Sequence, residues 1–139
     1  MESTFRHFFD NYIEIWRSSS LVEFKKLMST EYKAREVSDG SIVDFGYEES
    51  ILGWEQGFNF VIENNAEWEL KEVTIIPLND KENMAIISAA LIINGKRLES
   101  SNLFMQTFKL VEENNWMLVR SYIEAGIPLS KMGNLLTRQ

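Results

Sequence analysis

Asp44 is the carboxylate best placed to do chemistry, because it interrupts the apolar run Ile42-Val43-Asp44-Phe45. A carboxylate among apolar side chains keeps its basicity and can take a proton from carbon as a general base. An acidic residue before a helix can equally be solvated or act as a cap. Arg120, Tyr122 and Glu124 share one parity with Trp116 and Leu118. On an unbroken strand these five side chains lie on one face. There Arg120 could hold an anionic ligand group and Tyr122 could donate to a developing oxyanion. Cross-strand pairing is the competing use of Arg120 and Glu124. Gln106 alternates with Phe104 and Phe108, as a ligand handle or a satisfied core amide. Tyr12, Trp16, Tyr32, Trp54 and Phe58 provide enough aromatic surface for a mostly apolar pocket, or simply for a core. His7 is expected to be exposed and idle. Glu48 and Glu49 suit the positive end of a helix.

Much chemistry is excluded outright. With no cysteine and one histidine, the chain has no disulfide, thiolate nucleophile or multi-histidine zinc site. No Gly-rich phosphate loop, nucleophile elbow or acidic cluster with metal-ligand spacing occurs. Neither cofactor nor metal is expected. A net charge of −7 disfavours nucleic acid and anionic membranes as partners. Residues 1–16 mix charges among apolar positions and lack the continuous apolar core of a signal peptide, so the protein is expected in the cytoplasm.

At 139 residues, with 45% hydrophobic and 25% charged, the chain has the make-up of one globular domain. Phe5, Phe8, Phe9, Tyr12, Ile13 and Trp16 recur at helical steps. Ser20, three residues before Glu23, has capping-box spacing and predicts a second helix over Leu21–Met28. Ser38-Asp39-Gly40 predicts a turn between extended arms 32–37 and 41–45. Ile51, Trp54, Phe58, Val61 and Ile62 predict a third helix ending at Asn64-Asn65. Period two then sets in, predicting strands over 68–78, 84–93, 97–111 and 116–125, with Asn94-Gly95 as a hairpin turn. Residues 126–139 read as a tail, where Ser130 could cap a short helix carrying Leu135 and Leu136.

The run from Met84 to Ile93 is apolar at both parities, so both faces of the sheet need cover. Three helices can cover one face. A second copy of the chain, paired through the outer sheet face, is the simplest cover for the other. The alternative is the tail folding across it.

Helix pair, short hairpin, third helix and long meander, in that order over about residues 5–125, resemble the NTF2-like superfamily, including its SnoaL-like and ketosteroid-isomerase-like members. Tyr12 and Trp16 resemble its aromatic first helix. The stretch Ser38 to Phe45 followed by Gly53 resembles its segment before helix three, and Trp116 to Tyr122 resembles its last strand. The resemblance implies an α+β cone: a strongly curved antiparallel sheet wrapped around three helices from the first half of the chain, forming one domain over 1–139. It also implies an apolar pocket, dimerisation through the outer face, and a general-base aspartate at the position of Asp44.

The residues and the resemblance together imply a small-molecule-binding domain without assigned catalysis. Tyr12, Trp16, Tyr32, Trp54, Phe58, Phe104, Gln106, Arg120 and Tyr122 would contact an apolar or weakly anionic ligand. One alternative is an isomerase-, cyclase- or dehydratase-like enzyme with Asp44 as metal-free base. The other is a protein-interaction module using the outer sheet face.

Overall fold

The aromatic spacing near the N-terminus produces α1 (Glu2–Arg17) in the computed structural model, which describes residues 2–132. Phe5, Phe9, Tyr12 and Trp16 are all buried along one side of this helix. Ser20 accepts a hydrogen bond from the Glu23 N–H and starts α2 (Leu21–Lys25). That helix stops short of Met28. The Leu27 carbonyl accepts instead from the Leu118 N–H at 2.8 Å, and Met28 opens β1 (Met28–Ser38) beside Leu118. Pairing with the sheet overrides a helical pattern too short to hold by itself.

Asp39 and Gly40 take φ of 53° and 81°, forming a tight turn into β2 (Ser41–Gly46). Two consecutive positive φ values match the twist of a hairpin. Glu49 accepts from the Gly46 N–H at 3.1 Å and closes the first turn of α3 (Tyr47–Glu63). Asn65, at φ 52°, turns the chain out of that helix. The second half is β3 (Ala66–Asn79), β4 (Glu82–Ile93), β5 (Lys96–Arg97), β6 (Ser100–Glu112) and β7 (Asn115–Pro128), then a 3-10 turn over Leu129–Lys131. Asn94-Gly95 makes the expected tight turn. The strand after it divides, however: β5 pairs only with Ile92 and Ile93, and β6 resumes pairing along the rest of β4.

The sheet order is β2-β1-β7-β6-β4-β3. Its β1–β7 pair is parallel, so the sheet is mixed rather than purely antiparallel as the meander pattern predicts. Hairpins dictate pairing only between strands adjacent in sequence; the contact between β7 and β1 is non-local. Register shifts lie in β3 between Glu72 and Thr74, and where β7 passes from Leu118 to Arg120. Such bulges bend strands and raise local twist. The sheet curls without closing, and α1, α2 and α3 pack against its concave side.

On β4, Ala85, Ile87 and Ala89 join the core, while Met84, Ile86 and Ile92 point outward and are half-buried. A bidentate Arg6–Glu72 pair, at 2.8 and 2.9 Å, ties α1 to β3. Ser130 sits inside the 3-10 turn rather than capping a helix; Leu135 and Leu136 lie outside the described residues.

Candidate ligand-binding site

The strand alternation of β1 and β2 decides which side chains meet the helices. Tyr32, Glu36 and Ser38 of β1 and Ser41, Val43 and Phe45 of β2 project inward. Helix α3 crosses above them and presents Ser50, Gly53, Trp54 and Gly57, a stripe at three- and four-residue spacing. Between these surfaces lies a cavity of about 530 Å³, closed further by Trp68, Phe104 and Ile123. Glycine makes this space. A Cβ built at Gly53 would meet nothing within 4 Å, and one at Gly57 would just touch the Trp68 ring at 4.0 Å.

Trp54 holds the apolar floor together. Its ring packs edge-on to Trp16 at 4.9 Å, parallel to Phe104 at 5.8 Å, and against Phe24 at 4.4 Å. Trp68 donates its Nε1–H to Ser19 Oγ at 2.9 Å, which locks its ring against the cavity wall. Tyr32 is nearly buried, and burial pushes its hydroxyl pKa up; the neighbouring Ser121 and Ser50 hydroxyls offset only part of this. It therefore faces the cavity as a neutral phenol.

Of the residues expected to contact ligand, Tyr32, Trp54 and Phe104 line the cavity. Tyr12, Trp16, Phe58 and Gln106 do not: each is at most 1% exposed inside the packed core. Tyr12 donates to Gln106 Oε1 at 2.8 Å, and burial drives the Tyr12 pKa well above 10.0. Gln106 is therefore a core amide held through its Oε1, with its buried Nε2 left unpartnered, and not a ligand handle.

Arg120 and Tyr122 lie on the outer face. The reason is the β7 bulge, where Leu118 pairs with Phe108 but Arg120 pairs with Thr107, two residues against one. Trp116 and Leu118 therefore point inward, and beyond the bulge Ser121 and Ile123 do so in place of Arg120 and Tyr122. Outside, Arg120 pairs with Glu82 at 3.0 Å and Tyr122 donates to Glu124 at 2.7 Å.

Asp44 is also outside, one residue out of phase with Val43 and Phe45. Its side chain is 63% exposed and receives two hydrogen bonds from Arg35, at 2.7 and 2.9 Å. Those bonds hold its pKa below the usual carboxylate value. A solvated carboxylate engaged in this way is a poor proton acceptor.

Trp68, Glu36, Ser50 and Asn102 line the cavity without having been picked out by sequence, and Glu49, read there only as a helix-end residue, lines it too. Counting by twos from Tyr32 would have found Glu36, and the α3 stripe through Trp54 would have found Ser50. Ile123 is hidden by the bulge.

No family model matches the chain, and no curated protein matches its sequence at a significant level. Solved structures do match. A domain of unknown function with a cystatin-like fold from Nostoc punctiforme superposes with a TM-score of 0.68 at 18% identity, over 96% of this chain and 82% of that one. An NTF2-like protein of unknown function from Shewanella oneidensis gives 0.65 at 12% identity, over 88% and 98%. The chain has the NTF2-like fold. A third structure, an NTF2-like protein with a cystatin-like fold from Novosphingobium aromaticivorans, gives 0.63 at 12% identity, over 88% and 80%. Similarity at these identities is one of fold, and one NTF2-like scaffold can host many functions. Among the described residues, no helix is long and apolar enough to cross a membrane.

Proposed function

We propose that this NTF2-like chain is a small-molecule-binding domain, without assigned catalysis, whose ligand occupies the hollow between α3, β1 and β2. The observation that supports it most is the space itself. About 530 Å³ lies between aromatic walls, inside the 300–1,000 Å³ range of ligand sites. Packed interiors hold few voids larger than a water molecule. Helix α3 keeps this one open with two glycines where larger residues would be better helix formers. An isomerase-, cyclase- or dehydratase-like reaction through Asp44 finds no support in the solvated, arginine-paired position of that residue.

The test is titration with N-phenyl-1-naphthylamine, a neutral apolar fluorophore. One saturable site per chain is expected, lost in Gly53→Leu and retained in Asp44→Asn. Binding that survives Gly53→Leu with a fully folded spectrum would overturn the proposal.

We also propose that the chain pairs with a second copy through its outer sheet face. Met84, Ile86, Met105 and Met117 stand half-buried there, beside the Arg120–Glu82 and Arg35–Asp44 pairs. A patch carrying apolar groups and both signs of charge can complement itself across a two-fold axis. Sedimentation is expected to show a dimer that Ile86→Asp dissociates. A wild-type monomer at high concentration would contradict it.

A further inference from the structure

The charges around the cavity are all of one sign. Its mouth, where the lining is most exposed, carries Glu36 and Glu49, and no Lys or Arg lines it among the described residues. The basic residues of β1, Lys33 and Arg35, project to the other side of the strand, where Arg35 is engaged by Asp44. Glu36 has no hydrogen-bond or ion-pair partner among the described residues, and it lines the cavity together with Tyr32. The N-terminal end of α3 would favour an anion, as would hydroxyl donors such as Tyr32 and Ser50 in the lining. Glu49 already occupies that helix end by accepting from the Gly46 N–H.

Behind the mouth the floor is aromatic. Trp54 and Trp68 are half-buried, so part of each ring faces the hollow, and Phe104 stacks on Trp54. Because the Trp68 Nε1–H is bound to Ser19, Trp68 presents ring carbon rather than a donor to a ligand. Indole faces attract cations through their quadrupole. Carboxylates at the rim and π faces within both favour positive charge, and the net charge of −7 adds a long-range field of the same sense.

We propose that the cavity selects a hydrophobic cation: an amine or quaternary ammonium head on an apolar body. The head sits between Glu36 and the Trp54 and Trp68 rings, and the body extends toward Phe104. This rests on the hollow being a ligand site and reverses the charge preference that Arg120 suggested, since Arg120 lies on the other face.

Calorimetric titration with three naphthalene probes separates the possibilities: 2-naphthylmethyl-trimethylammonium, 2-naphthylmethanol and 2-naphthylacetate. The cation is expected to bind about tenfold more tightly than the alcohol, the sum of one cation–π contact and one partly exposed ion pair. The anion is expected to bind more weakly than the alcohol. Glu36→Gln, a substitution on a partly exposed strand position, should weaken the cation about fivefold and leave the alcohol unchanged. An alcohol that binds as tightly as the cation, or an anion that binds best, overturns cation selection while leaving a ligand site in place. If none of the three binds and N-phenyl-1-naphthylamine also fails, the ligand site itself is refuted.

Discussion

The concave side of the sheet has two ends built from the same kinds of residue, and only one is full. At the α1 end, Phe5, Phe9 and Tyr12 close on Phe108 and Trp116, with ring centroids 5.0 Å apart for both Phe5–Trp116 and Tyr12–Phe108. At the α3 end, Trp54, Trp68 and Phe104 stand around open space. The strands explain only part of the difference: both ends carry large inward side chains, although Ser38 and Ser41 add small ones at the cavity end. The opposing helix explains the rest. Helix α1 supplies an aromatic at each facing turn, whereas α3 supplies Ser50, Gly53 and Gly57 beside its tryptophan. Stability is concentrated at one end and room for a ligand at the other.

Truncating a ring at each end should give the widest contrast. Phe108→Ala removes a fully buried ring from a site that cannot collapse, at a cost of about 3–5 kcal/mol, a large share of the ~5–15 kcal/mol typical of a domain. Phe45→Ala removes a half-buried ring beside existing space and should cost roughly 1–2 kcal/mol. Chemical denaturation of both variants measures the gap; equal losses would mean that the two ends are packed alike.

Alkaline pH probes the same contrast through Tyr12. Burial raises its folded-state pKa well above 10.0, whereas in the unfolded chain it titrates near that value. Its contribution is therefore fully present below pH 10 and is lost as pH rises beyond it, because the unfolded state gives up the proton first. Melting temperature should fall steeply above pH 10, and less steeply in Tyr12→Phe, although that variant begins lower for want of the Gln106 bond. Tyr32, raised by the same cause, leaves a residual slope. Identical pH profiles for the two proteins would show that Tyr12 is not sequestered.

The smallest effect has the opposite sign. Gly53→Ala places a methyl in open space on a helix and should stabilise the protein by about 0.5–1 kcal/mol. Such a gain, set beside lost binding in Gly53→Leu, would mark Gly53 as retained for the cavity rather than for the fold. A destabilised Gly53→Ala would indicate that the space is not there.

Most of the fold was legible because local chemistry dictated it. The Phe5-to-Trp16 spacing, the Ser20 cap and the Asp39-Gly40 and Asn94-Gly95 turns each appear where the residues put them. What escaped was non-local. Nothing near Leu27 reveals that Leu118 will end α2, and nothing in β7 reveals that it will run parallel to β1. The site was legible only in part for a related reason. Alternation assigns faces correctly along one unbroken stretch, so Tyr32 and Phe104 could be placed, whereas the bulge after Leu118 reversed Arg120 and Tyr122. Asp44 failed more simply. It is one step away from Val43 and Phe45, and in a strand one step is the other face.

The most direct test of that face assignment is a methyl NMR titration of isoleucine- and valine-labelled protein with N-phenyl-1-naphthylamine. The structure predicts that the methyls of Val43 and Ile123, which line the hollow, shift and saturate together. Those of Ile42 and Ile86 on the outer surface should stay still. Shifts confined to Ile42 and Ile86, with Val43 and Ile123 silent, would contradict the account.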